Sequence, residues 1–223
     1  MFNNFWARLW NTLSGNSHFL SDALWRTLII TFCGFALGLI IATFFAFLFR
    51  VKIVNKILSV FIWIIRGMPI AVFLLLMFFV FLAPFRLDAV FIASIVFGIN
   101  SGVFMAEILR GEINSIDSGQ FEAGRALGFS NWFIMRRIIL PQAYKNAIPS
   151  LGNILILILK DTSIVGFITV VDITKATQLI ISKTYDAIVP YILLAIIYII
   201  IVGIITILLK FLEKKIFKRK SMI

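Results

Sequence analysis

Residues 187–211 form the cleanest of several long apolar runs, with no charged side chain between Ala187 and Leu209. About 20 consecutive apolar residues are what an α-helix needs to cross the hydrocarbon of a bilayer. At least three runs in this chain approach or exceed that length, which chooses the solvent before any fold is considered. Of the 223 residues only 14% are charged, where a soluble domain carries about 25%. A soluble enzyme, a disulfide scaffold and a disordered tail are therefore excluded. Cys33 is the single cysteine and His18 the single histidine, so neither a disulfide framework nor a metal cluster is expected, and no cofactor. Residues 1–22 lack a continuous apolar segment followed by a small-residue cleavage site, so no cleavable signal is expected and the spans themselves direct insertion.

The pattern predicts an all-α polytopic membrane protein with five transmembrane helices, at about 23–48, 55–82, 87–107, 147–170 and 187–211. The second is interrupted by Arg66-Gly67-Met68-Pro69 and the fourth by Lys160-Asp161. Lysines and arginines near the span ends give the orientation. Fourteen of them lie at or beside the ends on one side, namely Arg50, Lys52 and Lys56, five within 110–146, and six from Lys210 onward, against five on the opposite side. That asymmetry predicts an outside N-terminus and a cytoplasmic C-terminus, as an odd number of spans requires. It also accounts for much of the net charge of +11 without a nucleic acid partner; the Lys-rich tail at 212–223 is expected to lie on anionic headgroups.

Before the first span, Phe2, Phe5, Trp6, Leu9, Trp10 and Leu13 recur at helical spacing, with Asn3, Asn4, Arg8, Asn11 and Thr12 on the other face. An amphipathic helix within 1–22 is expected to lie in the outer membrane interface. Docking of an external partner is the alternative use of that face. Within the spans, Gly34…Gly38 and Gly98…Gly102 fit G-x-x-x-G, the pattern that lets two helices approach closely. Thr27 and Thr31 share a face, suited to bonding across helices or back onto their own backbone.

Residues 110–146 are the one long polar connection, and read as two short helices rather than a loose loop. Asp117 with Gln120 three residues on predicts a capping box, and Gly128 a left-handed helix end. Ser130 predicts a second N-cap, with Pro141 limiting that helix. Phe121, Ala123, Ala126 and Leu127 form an apolar contact, and Glu122 and Arg125 are exposed. Such a segment is a rigid helical knob projecting into the cytoplasm.

The run Glu122-Ala123-Gly124-Arg125-Ala126-Leu127-Gly128, followed by Ile139-Leu140-Pro141, resembles the EAA coupling loop of ABC importer permeases, with Gly124 in place of the usual Ala. The likeness extends to Met105–Gly111, Gly119-Gln120, Pro141-Gln142-Ala143 and Lys160-Asp161-Thr162-Ser163. Arg66-Gly67-Met68-Pro69 is similar to that family's Arg-Gly-Thr-Pro, with Met68 as a departure. Together these resemble the polar amino acid permeases of the histidine/glutamine/arginine type across about 22–211. The resemblance implies a transmembrane permease domain at 23–211 that dimerises with a second copy or a paralogue. It implies two separate ATP-binding subunits that grip the coupling helix, and an external amino acid-binding protein that delivers cargo. The coupling contact falls on Gln120, Phe121, Glu122, Ala123, Gly124, Arg125, Ala126, Leu127 and Gly128. No G-x-x-x-x-G-K-[ST] loop is present, so ATP hydrolysis belongs to another chain.

Polar groups inside spans are costly and mark wet cavities or internal pairs. At ~1.5 Å per residue, Arg66 lies ~17 Å from the cytoplasmic edge, Asn100 and Ser101 ~20 Å from the outer edge, and Lys160-Asp161 ~20 Å from the cytoplasmic edge. All reach a similar depth, which suggests a shared site for a zwitterionic substrate, as in transporters with broken helices. Its residues would be Arg66, Gly67, Met68, Pro69, Asn100, Ser101, Lys160, Asp161, Thr162 and Ser163. The bland alternative is that Arg66 or Lys160 only neutralises Asp161; Glu107 stands at the i,i+3 spacing that allows a pair with Arg110. An ion channel would lack a TVGYG-type filter here, and a membrane enzyme would need clustered acids that are absent.

Overall fold

A computed structural model describes residues 2–49 and 52–218, with side chains described for 5–49 and 53–216. Arg50, Arg219 and Lys220, which enter the charge count, lie outside the described residues, as do the side chains of Phe2, Asn3, Asn4, Lys52 and Lys218. Among the described residues every regular element is helical.

The frame is the contact between α2 (Ser17–Leu48) and α5 (Ala89–Ser115), the most extensive in the molecule. The helices run parallel: Gly34 faces Phe97 and Gly98, and Gly38 faces Ser101 and Gly102. A Cβ added to Gly98 would lie 2.8 Å from Cβ of Leu37, and one on Gly102 2.9 Å from Cβ of Ile41. The two G-x-x-x-G motifs thus meet each other, and the missing side chains set how close the backbones come. Thr27 and Thr31 donate to Ala23 O (3.0 Å) and Thr27 O (2.7 Å) of their own helix. Thr27 Oγ1 also accepts from Ile173 N across the bundle at 3.4 Å. Asp88 starts α5 by accepting from the N–H groups of Val90 (2.8 Å) and Phe91 (3.2 Å).

The expected second span is not one interrupted helix. It is α3 (Lys52–Gly67) and α4 (Ile70–Leu76), the latter running on as a π turn at Met77–Phe81, and the two parts bend by 105° at the break. Pro69 has no N–H to continue α3, and its extended backbone (φ −57°, ψ 134°) starts α4 afresh. Among the described residues four helical stretches are long and apolar enough to cross a membrane on their own, and five if the bent pair counts as one span.

Pro141 does not end a helix, contrary to expectation. The short α7 (Asn131–Ile134) passes through a π turn at Met135–Ile139 into α8 (Leu140–Asp161), with Pro141 at the start of α8. The wider π turn lies where a proline ring would otherwise clash with the carbonyl four residues back. At Asp161 the α-helix tightens into a 3-10 segment, Thr162–Ile168, which closes at Thr169 in the left-handed region (φ 70°). A short helix that the apolar pattern did not mark, α9 (Ile173–Thr184), then precedes α10 (Ile188–Lys218). Of the most apolar 18-residue stretch, 61% is buried in α5 but only 11% in α10, so α5 is the centre and α10 the rim.

Several expected boundaries move, since α5 runs on to Ser115 and α8 already starts at Leu140. The N-terminal helix α1 is Phe2–Gly15, and residues 17–22 already belong to α2. No break occurs at 211, because α10 continues to Lys218. Leu9 and Leu13 of α1 pack against α9 and α10 residues such as Ile180 and Leu193, and Arg8 pairs with Asp186. Trp6 and Trp10 point away from the protein.

Candidate functional site

The polar connection folds as the sequence suggests in outline and differently in its joints. Helix α6 (Gly119–Ala126) ends in a Schellman turn. Gly128, at φ +80°, donates to Arg125 O (2.9 Å), and Phe129 N donates to Gly124 O (3.0 Å). Ser130 caps α7 by accepting from Phe133 N at 3.2 Å. The Asp117–Gln120 capping box does not form. Asp117 instead accepts from Gly119 N (2.9 Å), and the Gln120 side chain turns inward to Gln142. Gly124, which stands where the EAA pattern has alanine, is buried, and a Cβ there would lie 2.8 Å from Cδ1 of Ile134, so that side chain would have to shift. Arg125 Nε donates to Asn131 Oδ1 at 2.9 Å. Ala123, Ala126 and Leu127 make no buried internal contact; Leu127 is 74% exposed and Trp132 of α7 57%. Glu122 is also exposed and lies in the first turn of α6, where its charge is favoured by the helix dipole. Phe121 is half-buried beside Ile134 and Ile139. The result is a small folded knob with an apolar, charged-rimmed outer face.

Inside the membrane region, the breaks of α3/α4 and α8 are brought together. Helix α4 packs on the 3-10 segment, and Phe73, Leu74, Val165 and Ile168 share one buried cluster, with Met68 against it. The charges beside this contact go to separate cavities. Arg66 and Gly67 line a cavity of about 460 Å³ with Glu107 and Arg110, whereas Lys160 and Ser163 line another of about 510 Å³ against α10. Arg66 pairs with Glu107, not with Asp161. Glu107 in turn is not held by Arg110, whose guanidinium lies 4.8 Å over the Phe49 ring. Ser101 is buried in the α2–α5 contact, near Gly98 O (3.3 Å), and Thr162 is buried with its hydroxyl on Leu159 O (2.7 Å). Asn100 and Asp161 are half-buried, and neither side chain hydrogen-bonds to another described residue. Pro69 is exposed at the break itself. One chain therefore gathers the broken backbone of the expected site but leaves its charges divided between two open cavities.

Residues 34–218 match the model of the binding-protein-dependent transport system inner membrane components. The chain belongs to that family. This permease is 36% identical over 215 residues to the glutamine transport system permease protein GlnP of Escherichia coli, covering 94% of this chain and 96% of that one. Among solved structures, an amino acid ABC transporter described with histidines superposes with a TM-score of 0.81 at 34% identity, over 91% of this chain and 96% of the other. A subunit of the MetNI methionine ABC transporter superposes at 0.71 with 21% identity, over 88% and 95%, a likeness of fold alone.

Several polar groups of the permease were missed in the sequence. The Arg66–Glu107 and Gln120–Gln142 pairs join residues 41 and 22 positions apart, beyond any local spacing rule. Asp172 is fully buried and caps α9, accepting from the N–H groups of Thr174 (3.0 Å) and Lys175 (3.0 Å). Burial pushes its carboxyl above the ordinary value, and those N–H groups oppose the rise. Here a signal existed: Asp172 precedes Ile173, Ala176, Thr177 and Ile180, an i, i+3, i+4, i+7 face.

Proposed function

We propose that this permease carries a polar amino acid of the glutamine or histidine class inward across the cytoplasmic membrane, by alternating access driven by separate ATP-binding subunits. The observation that carries this reading is the course of α8. At one end its helical line begins in the exposed knob, and at the other it breaks at Asp161 against the break of α3/α4. A displacement of the knob is thereby applied to the interrupted backbone, where a site can open and close. The knob's outer face, Glu122, Ala123, Arg125, Ala126 and Leu127, is the surface for the ATP-binding subunit. Asn100 and Asp161, half-buried and without a side-chain hydrogen bond to another described residue, would serve the ammonium or amide of the cargo, and Arg66 or the N–H groups that open α4 after Pro69 its carboxylate.

The same alternation supports an outside N-terminus. Phe49 lies by Arg110, and Leu209 lies by Gly152, so the ends of α2, α5 and α10 and the start of α8 share one side, with Lys145, Lys210, Lys214 and Lys215. Cations concentrate on the cytoplasmic side. A second permease copy or paralogue would complete the wall on which Arg66 and Lys160 open, and an external binding protein would deliver the cargo. The 34% identity to an amino acid transporter against 21% to the methionine transporter favours polar amino acids over methionine. Uptake by the reconstituted complex tests this: Asp161→Asn is expected to lower uptake of labelled glutamine, histidine or arginine while assembly is kept. Wild-type uptake of all three would sink a role for that carboxylate, and methionine uptake alone would overturn the substrate class.

A further inference from the structure

The knob is joined to α8 by an amide clasp. Gln142 Nε2 donates to Gln120 Oε1 at 2.7 Å, and Gln120 Nε2 donates back to Gln142 Oε1 at 3.2 Å. Gln142 Nε2 also donates to Ile138 O at 2.8 Å, a carbonyl of the π turn that leads into α8. Both side chains are half-buried. Gly124 against Ile134 and Arg125 with Asn131 tie α6 to α7, and Phe121 packs beside Ile134 and Ile139; the amide clasp ties α6 to α8 itself by side-chain hydrogen bonds. π turns inside helices often mark functional joints because they are less well bonded than the α-helix around them. A load applied to α6 could be absorbed there, by flexing between α7 and α8, unless something spans it.

We propose that Gln120 and Gln142 are positioning residues for transport. They span the π turn and make α6 and α8 move as one lever, so that a displacement of the coupling helix reaches the break at Asp161, about 29 Å along α8 at ~1.5 Å per residue. Gln120 thus acts within the permease rather than on the ATP-binding subunit. A reciprocal amide pair suits a link of this kind, because two parallel hydrogen bonds fix orientation as well as distance, and neither residue carries a charge that would resist being half-buried. The proposal rests on the reading of α6 as the coupling helix.

The test uses the full importer in proteoliposomes, and reads ATP hydrolysed per amino acid taken up from a mixture of labelled glutamine, histidine and arginine. Gln120→Leu and Gln142→Leu are each expected to raise that ratio several-fold. The pair Gln120→Glu with Gln142→Lys, which rebuilds the link as an ion pair and keeps a donor for Ile138 O, is expected to bring the ratio back toward wild type. A merely structural role would lower hydrolysis and uptake together and leave the ratio unchanged, which overturns the proposal; so does failure of the paired variant where both singles raise the ratio. If the leucine variants do not assemble, Gln120→Glu and Gln142→Lys taken singly against the pair give the same comparison. A separate arm, Ala123→Trp on the outer face, should release the ATP-binding subunit. Retention of that subunit with normal uptake overturns the coupling reading itself, whereas release together with unchanged ratios in the clasp variants overturns the clasp alone.

Discussion

The α2–α5 seam and the contact between α4 and the 3-10 segment are both buried helix crossings, built on opposite terms. Along the seam, Gly34, Gly38, Gly98 and Gly102 bring two unbroken helices together with no slack. At the second contact both partners are interrupted, one by Pro69 with a 105° bend and the other by an α to 3-10 change followed by a left-handed threonine. In the seam both helices keep an uninterrupted α-helical backbone. At the breaks the helices are interrupted, and the charged side chains beside them line two separate cavities. The lesson is a division of labour: the seam is built as a frame, and the broken pair is where the proposed alternation would act.

This contrast is open to attack, most strongly at the seam. Gly98→Leu is expected to cost about 3 kcal/mol of stability, because the new side chain collides with Leu37 and neither helix can yield. Thermal unfolding in detergent measures it, and a tolerated leucine would mean the frame is not fixed. At the break the expected pattern inverts. Glu107→Gln removes the half-exposed partner of Arg66, should change stability by less than about 1 kcal/mol, and should lower uptake about tenfold, or ~1.4 kcal/mol. Equal losses of stability and uptake would erase the distinction between the two regions. Thr169→Gly relieves a β-branched residue at φ 70°, and is expected to stabilise the protein by about 1 kcal/mol; destabilisation would show that the left-handed turn carries no strain. The smallest effect concerns α1. Its partner residue Asp186 has a carboxyl held below its ordinary value of 3.8, chiefly by the hydrogen bond from Arg8. A lowered carboxylate pKa contributes above the unfolded value and is lost as pH falls through the folded one. The fluorescence of Trp6 and Trp10 should therefore stay constant from neutral pH down to about pH 4 and change only below it, and a change near neutrality would contradict the pairing.

Much of the frame was legible because its signals are local. The apolar runs, the two glycine motifs, the Ser130 cap and the Gly128 turn each depend on residues within a few positions of one another. The interruptions at Arg66–Pro69 and Lys160-Asp161 were legible for the same reason, although a local pattern does not give a bend angle. Partner choice was not legible. Arg66 had Asp161 as an apparent counter-charge at similar depth and takes Glu107, while Glu107 had Arg110 one turn away and passes it over for a residue on another helix. Gln120 matched a capping box in sequence and is used in a clasp, because Gln142 offers two hydrogen bonds where the box offers one. Pro141 was read as a stop because the π turn that accommodates it leaves no mark in the sequence.

The parallel seam also sets a schedule for synthesis. Gly34 and Gly98 are separated by the whole of α3 and α4, so at about 5–20 residues per second the ribosome takes roughly 3–13 s to deliver the second half of the contact. Through that interval α2 sits in the bilayer with its glycine face on lipid, a tolerable state because an unbroken helix already pairs its backbone N–H and C=O groups internally. The frame of the permease is therefore assembled late, after the broken helices it will hold have already been made.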